Sequence, residues 1–355
     1  MPSVNANFPE SQSELKPLVI ESIHVETKNF KTFIFRQSYD MPYQAGQFLT
    51  LVDHSGKQEI RRSYSLVSSP VLTEPMAIGV KRMDNGFFSR MLVDRAKPGD
   101  TLWTLGPSGF FKLPENLYSF KHIFFFAAGS GITPILSLLK TTLYAFPDIQ
   151  VILFYSNASV EQTAFYEYLK ELEKQFSSRL KIHFLFSTTA DLRKARLNRD
   201  LLLERITLSD LEKKQTLFYV CGPESYMRLI IFHLLEEGFP KDHIKKEDFN
   251  PGNRKPSLHL PPDKNNYDIR LKLRGKEYIL AVHYPDTILQ AARKVKINIP
   301  YSCETGKCGT CAAYCQSGKL WMAKNEVLTE QELAKGLVLT CTGHPQSADL
   351  LLVVD

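Results

Sequence analysis

"YSCETGKCGTCAAYCQSG", residues Tyr301 to Gly318, carries four of the six cysteines in a chain of 355 residues. Cys303, Cys308 and Cys311 are spaced C-x4-C-x2-C, and Cys341 returns after 29 intervening residues in "VLTCTGHP". Four thiolates from one glycine-bearing loop and one distant strand suit a [2Fe–2S] cluster. Gly306, Gly309 and Thr310 would let backbone N–H groups turn toward the sulfides. Cys315 competes for the fourth position, since Cys311-x3-Cys315 resembles the end of a [4Fe–4S] run, but Cys303-x4-Cys308 does not fit that run. Tetrahedral zinc also accepts four cysteines; its ribbon pattern wants two C-x2-C pairs, and only one is present. The ligand set read here is Cys303, Cys308, Cys311 and Cys341, with Cys315 a packed strand residue.

Around this loop the chain is short of core. "DIRLKLRG" and "KEYILAVHY" alternate apolar and polar residues about a turn, and "TILQAARKV" reads as a short helix. This is a small α+β unit that a metal centre would help to hold together. "IPYSCETGKCGTC", with "LTC" downstream, resembles a plant-type ferredoxin domain over about the last quarter of the chain, which implies a β-grasp fold. Free ferredoxins of that family are strongly acidic. Residues 263–355 carry 12 Lys+Arg against 10 Asp+Glu, which suits a domain tethered to its own reductase.

Upstream, "NPGNRKPSLHLPPDKNN" (Asn250 to Asn266) has four prolines and little apolar periodicity, and reads as a linker. Before it, strands "IFFFAA", "VILFYS", "KIHFLF" and "LFYVCG" alternate with helical segments "EQTAFYEYLKELEKQF" and "ESYMRLIIFHLLEEG". That alternation predicts βαβ units and a parallel sheet. In "FFFAAGSGITPILSLL" the residues Gly129, Ser130, Gly131, Thr133 and Pro134 lie between strand and helix, where a pyrophosphate can approach the helix N-terminus. An isolated G-S-G is equally an ordinary βα turn.

From about Leu18 to Leu113 the texture changes to closely spaced strands, "LVIESIHV", "TFIFRQS", "QFLTLVD", "SYSLVSS", "MAIGVKRM" and "TLWTLG", as in an antiparallel barrel. "RRSYSLVSS" holds R-x-Y-S. Strand alternation puts Arg62 and Tyr64 on one face and Ser65 on the other. Arg62 can neutralise a phosphate, Tyr64 can stack on an isoalloxazine, and the Ser65 hydroxyl can reach a flavin N5; the same residues also fit a polar-edged strand. "DNGFFSRML" sets Gly86 and Ser89 at a helix start suited to a pyrophosphate, and "GPSGFF" closes the region.

In this order the motifs resemble the ferredoxin–NADP reductase superfamily across about Leu18 to Phe249. The resemblance implies FAD at Arg62, Tyr64, Ser65, Leu66, Gly86, Phe88, Ser89, Thr133 and Phe249. FAD is favoured over FMN by "NGFFS". It also implies NADPH or NADH at Gly129, Gly131, Thr133, Cys221, Gly222 and Pro223, the last three in "YVCGPESYM". Ser187, Arg193 and Arg196 follow "KIHFLFS", where an arginine could grip a 2′-phosphate or remain a solvated helix charge; NADPH is the reading adopted. Cys221 lines the nicotinamide site rather than acting as nucleophile. Glu247 and Phe249, in "KKEDF", would lie near the flavin ring, although Phe249 also suits a domain-edge core position. Ser65, Cys221 and Glu247 form the expected catalytic group.

The expected organisation is a tail (1–17), a flavin barrel (18–115), a nucleotide domain (116–249), a linker (250–266) and the ferredoxin domain (267–355). The order, with "RRSYSL" and "PYSCETGKCGTC", most resembles the family of reductase components that serve phenylacetyl-CoA epoxidases. That implies an electron path from NAD(P)H to FAD to [2Fe–2S] to a separate di-iron oxygenase acting on an aromatic acyl-CoA. Related reductases serve Rieske dioxygenases, fatty-acyl desaturases and the hybrid-cluster protein. A redox sensor or carrier is the competitor from another class, but it would need no hydride input.

Composition agrees with a globular redox protein, at 43% hydrophobic and 23% charged residues. A formal charge of +6 without a basic block argues against nucleic acid. The opening residues lack a signal-peptide pattern, and the longest apolar stretches are broken by Gly, Ser and Pro, against a membrane span. Bunched cysteines in a long chain point to a reducing, cytoplasmic setting.

Overall fold

The computed structural model describes residues 15–36, 41–53, 59–191, 195–207, 211–249 and 260–354. The chain divides into two compact units, Met1–Phe249 and Asn250–Asp355.

The first unit opens with strands β1 (Lys16–Thr27), β2 (Phe30–Phe35), β3 (Phe48–Asp53), β4 (Ile60–Ser65) and β5 (Ala77–Lys81), then helix α1 (Phe87–Arg95) and strand β6 (Thr101–Ser108). They form an antiparallel sheet in the order β4-β3-β6-β1-β2-β5. A bridge between Leu66 and Ile78 joins the two ends of that order, so no edge is left open. Alternate residues fill the interior. Leu18, Ile20, Phe33, Phe35, Leu49 and Leu51 share one cluster, and α1 plugs it with Phe88 and Leu92.

The chain then alternates: β7 (His122–Ala128), α2 (Ile132–Ala145), β8 (Gln150–Asn157), α3 (Tyr166–Gln175), β9 (Leu180–Phe186), α4 (Arg199–Thr207), β10 (Thr216–Cys221), α5 (Glu224–Glu236) and β11 (Ile244–Glu247). All five strands are parallel, in the order β11-β10-β7-β8-β9. The phenylalanine run of β7 follows from burial on both faces. Phe125 packs with α2 in one cluster, Phe124 and Phe126 with Met227, Ile230 and Leu234 of α5 in another. Helix α3 begins five residues later than "EQTAFYEYLKELEKQF" suggests, because Phe165 takes a left-handed conformation at φ 62° and stops the helix there.

The second unit holds β12 (Tyr267–Leu273), β13 (Lys276–Val282), α6 (Ile288–Lys294), β14 (Ala312–Ser317), β15 (Leu320–Met322), α7 (Glu330–Ala334), β16 (Leu337–Leu339), β17 (Gly343–Pro345) and β18 (Leu351–Val354). Its main sheet runs β13-β12-β18-β14-β16, with β12 and β18 parallel at the centre. Helix α6 starts at a capping box, in which the Thr287 hydroxyl accepts from the Gln290 N–H and the Gln290 side chain accepts from the Thr287 N–H. This is the β-grasp arrangement. Among the described residues no helix is long and apolar enough to cross a membrane.

Candidate electron-transfer sites

Strand order places the first site. In the parallel sheet the direction of winding reverses between β7 and β10, and ligands of such sheets bind outside the carboxyl ends at that switch point. Two motifs meet there. Gly129 to Gly131 leave β7, while Cys221 to Pro223 leave β10, with Cys221 paired to Ala127. Gly131 has no room for a side chain: a Cβ there would lie 2.1 Å from the Cys221 carbonyl oxygen. The Tyr155 hydroxyl donates to the Gly129 carbonyl at 3.3 Å and braces the turn. Asn157, at the same end of β8, directs its side-chain amide to the Tyr155 hydroxyl. A Cβ at Gly129 would lie 3.5 Å from the Lys81 ammonium of the barrel. Asn157 and Lys81 escaped the sequence reading because both come to the turn through tertiary folding.

The three residues expected to be catalytic converge beside this turn. Cys221 and Glu247 are register partners on β10 and β11. Ser65, 4% exposed at the end of β4, donates to Glu247 Oε2 at 3.3 Å. Burial pushes the Glu247 carboxyl up to about 8, against the lowering effect of the Ser65 hydrogen bond. Burial also drives the Cys221 thiol upward, reinforced by Glu247 and Asp248, so it stays protonated. Strand β11, which orders Glu247, is only four residues of Ile, Lys and Glu. It has no apolar alternation to reveal it.

A pH dependence follows from Glu247. With its folded pKa above the ordinary value of 4.5, the folded chain retains a proton that the unfolded chain releases. Stability is therefore lost as pH rises from about 4.5 through about 8. Thermal unfolding across that window should show wild type falling relative to Glu247→Gln, with parallel curves above it. Parallel curves throughout would refute the assignment.

On the barrel side, Arg62 is exposed and Tyr64 half-buried, with the Tyr64 ring 6.0 Å from that of Phe88. Leu66 is fully buried. Gly86 caps α1, but the Ser89 hydroxyl is engaged within its own turn, accepting from the Met83 N–H at 3.1 Å and donating to the Gly86 carbonyl at 3.2 Å. The helix start thus offers main-chain N–H groups rather than that hydroxyl. Thr133 is buried, with its hydroxyl donating to the Ser130 carbonyl at 3.0 Å. The barrel and α2 are locked together by polar contacts that the sequence did not signal. Ser137 Oγ donates to the Ser68 carbonyl at 2.6 Å, and the buried Lys140 ammonium to Glu74 at 2.6 Å.

Ser187 and Arg196 are both exposed beyond β9, and Arg193 lies outside the described residues. Phe249 is 45% exposed at the end of the first unit.

In the second unit the cysteines separate by role. Cys315 sits in β14, where its N–H donates to the Gly336 carbonyl and its thiol to the Ser317 carbonyl at 3.4 Å. The other four form two pairs. The Cys308 thiol donates to Cys303 and holds it down at about 5, aided by the Thr305 and Lys307 amides. The Cys341 thiol likewise donates to Cys311 and lowers it. The shared proton, with burial behind it, pushes Cys308 and Cys341 up. Each iron of a [2Fe–2S] cluster takes two protein sulfurs besides the bridging sulfides, so two thiol pairs fit it. The Thr305 Oγ1, buried and without an N or O partner, and the Gly306 amide, which faces Cys341, are further polar groups turned toward this site. The Gly306 amide faces the Cys341 sulfur rather than a sulfide, and Thr310 directs its side chain to Cys308. A Cβ on Gly306 would lie 2.7 Å from the Lys324 carbonyl oxygen.

Three family models divide the chain in the same sense: an oxidoreductase FAD-binding domain over residues 17–113, an oxidoreductase NAD-binding domain over 125–230, and a 2Fe-2S iron-sulfur cluster binding domain over 271–346. A component of the Escherichia coli (strain K12) 1,2-phenylacetyl-CoA epoxidase is 31% identical, covering 95% of this chain and 97% of its own. The chain belongs to this family of FAD, NAD and [2Fe–2S] reductases. It is an NAD(P)H-dependent oxidoreductase. The ferredoxin reductase component of the 3-ketosteroid-9-alpha-monooxygenase from Rhodococcus rhodochrous is 30% identical over 92% of this chain and 93% of its own. Phthalate dioxygenase reductase, a solved structure for electron transfer from pyridine nucleotides to [2Fe–2S], matches with a TM-score of 0.60 at 25% identity, over 97% of this chain and 99% of that one. An intact self-sufficient cytochrome P450 monooxygenase matches with a TM-score of 0.72 over 99% of this chain. This chain spans only 42% of that protein, and at 22% identity the likeness is one of fold.

Proposed function

We propose that the chain is the reductase component of an oxygenase system, taking electrons from NADPH and passing them through FAD and a [2Fe–2S] cluster to a separate oxygenase. The observation that carries this reading is the meeting of Ser65 from the barrel with Cys221 and Glu247 from the parallel sheet, at the switch point where the nicotinamide turn begins. Bound flavin accepts a hydride and releases electrons singly, and a bound cluster carries one at a time.

The chain's own residues prepare these sites. Arg62 and Tyr64 hold the flavin from the face of β4, with Leu66, Phe88, Thr133 and Phe249 around it and the Gly86–Ser89 turn at its pyrophosphate. Gly129, Gly131 and Pro223 admit the nucleotide close to main chain. Cys221, kept neutral, and Gly222 line the nicotinamide position. Glu247 holds a proton below about pH 8 and fixes the Ser65 hydroxyl. Ser187, Arg196 and Arg193 are the candidates for a 2′-phosphate, which favours NADPH. Cys303, Cys308, Cys311 and Cys341 hold the cluster.

Likeness to the phenylacetyl-CoA epoxidase component favours a di-iron partner acting on an aromatic acyl-CoA. The steroid monooxygenase component, nearly as similar, supports a second reading with a different oxygenase. Reduced, paired thiols suit the cytoplasm. Steady-state reduction of ferricyanide by the purified holoprotein should proceed with either nucleotide, with kcat/KM higher for NADPH. Arg196→Ala should narrow that difference. No nucleotide-dependent reduction would return the sensor reading, and a preference for NADH would remove the 2′-phosphate assignment.

A further inference from the structure

Lys307 lies one residue before Cys308, and its N–H faces the Cys303 sulfur. Its side chain is only 10% exposed, with the ammonium 3.8 Å from Glu326 Oε2. The other Glu326 oxygen is 2.6 Å from the ammonium of Lys324, whose side chain is 42% exposed. Residues 323–326 form a strap over the cysteine loop. The Glu326 N–H donates to the Gly306 carbonyl and the Ala323 N–H to the Thr342 carbonyl, each at 2.9 Å. The Thr342 hydroxyl donates to the Lys324 carbonyl at 2.7 Å. These bonds pin the strap beside Cys308 at one end and beside Cys341 at the other. All of them are made by main-chain groups or a neutral hydroxyl. The three charges are concentrated beside the cysteine loop, and withdrawing Lys307 from water is costly.

We propose that the Lys307–Glu326 pair sets the reduction potential of the cluster. The inference rests on the reading that the four paired cysteines hold a [2Fe–2S] centre. One added electron raises the negative charge at that centre by one, so a nearby cation favours the reduced state and a nearby anion the oxidised state. The effect is strongest for charges shielded from solvent. Lys307 is so shielded, with its ammonium 3.8 Å from Glu326 Oε2. Lys324 is more open to water and counter-ions, which weaken its influence.

The test is an anaerobic potentiometric titration of the full-length holoprotein, followed by EPR, with iron and labile sulfide measured in each sample. Lys307→Met should lower the midpoint potential and Glu326→Gln should raise it, with the double variant lying between. At a fixed NADPH/NADP+ ratio the reduced fraction of cluster should fall in the first variant and rise in the second. A purely structural role would shift both in the same direction, with loss of iron. Unchanged potentials, or shifts of the same sign at full iron content, overturn the proposal. If Lys307→Met does not retain its cluster, Glu326→Gln and the more exposed Lys324→Met decide. The proposal requires opposite shifts, the Lys324 shift smaller and reduced by salt; same-sign or absent shifts contradict it. A wild-type protein without a [2Fe–2S] signal would defeat the ligand reading itself, which is a separate outcome.

Discussion

Replacing Cys341 by serine should remove the iron–sulfur chromophore and its EPR signal, whereas Cys315→Ser should leave both in place. The two residues differ in what surrounds their sulfurs. Cys341 is 7% exposed, its thiol donates to Cys311, and the Gly306 amide is directed at it. Cys315 is committed to β14, its thiol turned to the Ser317 carbonyl, and its pKa is raised by burial rather than by another cysteine. Loss of an outer-shell partner alone costs roughly 10–100-fold in metal affinity or activity, and loss of a ligand should exceed that. Acceptor reduction through the cluster should therefore fall by at least about 100-fold in Cys341→Ser. Flavin reduction by NADPH should continue, because the nucleotide site belongs to the other unit. Iron and sulfide analysis of the two variants checks this. Loss of iron in Cys315→Ser with retention in Cys341→Ser would reverse the ligand assignment.

The second large effect belongs to Gly131. A methyl group there meets the Cys221 carbonyl oxygen at 2.1 Å and the Gly222 nitrogen at 3.0 Å, atoms of main chain that have no rotamer by which to yield. Overpacking of this kind costs about 1–3 kcal/mol. The strain falls where the Gly129–Gly131 turn and the Cys-Gly-Pro turn touch. A displacement of about 1 Å in a positioned reactant can cost roughly 100-fold in rate. Gly131→Ala should slow flavin bleaching by NADPH by about that factor in anaerobic stopped-flow, while dithionite reduces flavin and cluster as in wild type. Unimpaired bleaching would show that the turn does not position the nicotinamide. Failure with dithionite as well would mean that the variant is misfolded.

Much of this arrangement was legible from composition and spacing. The cysteine intervals pointed to a [2Fe–2S] domain, and the matching family model covers residues 271–346. Phe124, Phe125 and Phe126 advertise a strand buried on both faces, and the Gly129–Gly131 turn after it joins that strand to α2. Other parts are properties of the folded chain. Strand β11 is brought in by pairing with β10, not by its own residues, so the contact of Glu247 with Ser65, 182 positions apart, has no local signature. Phe165 delays α3 through a single backbone conformation that an apolar pattern cannot express. Lys81 and Asn157 stand in ordinary strand contexts, and only the closed barrel and the register of β8 bring them to the Gly129–Gly131 turn. Ser89 shows the converse: a hydroxyl well placed in sequence is engaged within its own turn.

The central claim, that one chain joins a nicotinamide-reduced flavin to a [2Fe–2S] cluster, is tested most directly by anaerobic titration of the purified holoprotein with NADPH, followed by visible absorbance and EPR. Flavin bleaching accompanied by a rhombic [2Fe–2S] signal is the expected result. Bleaching of the flavin with no cluster signal, in protein that contains iron and sulfide, would contradict it.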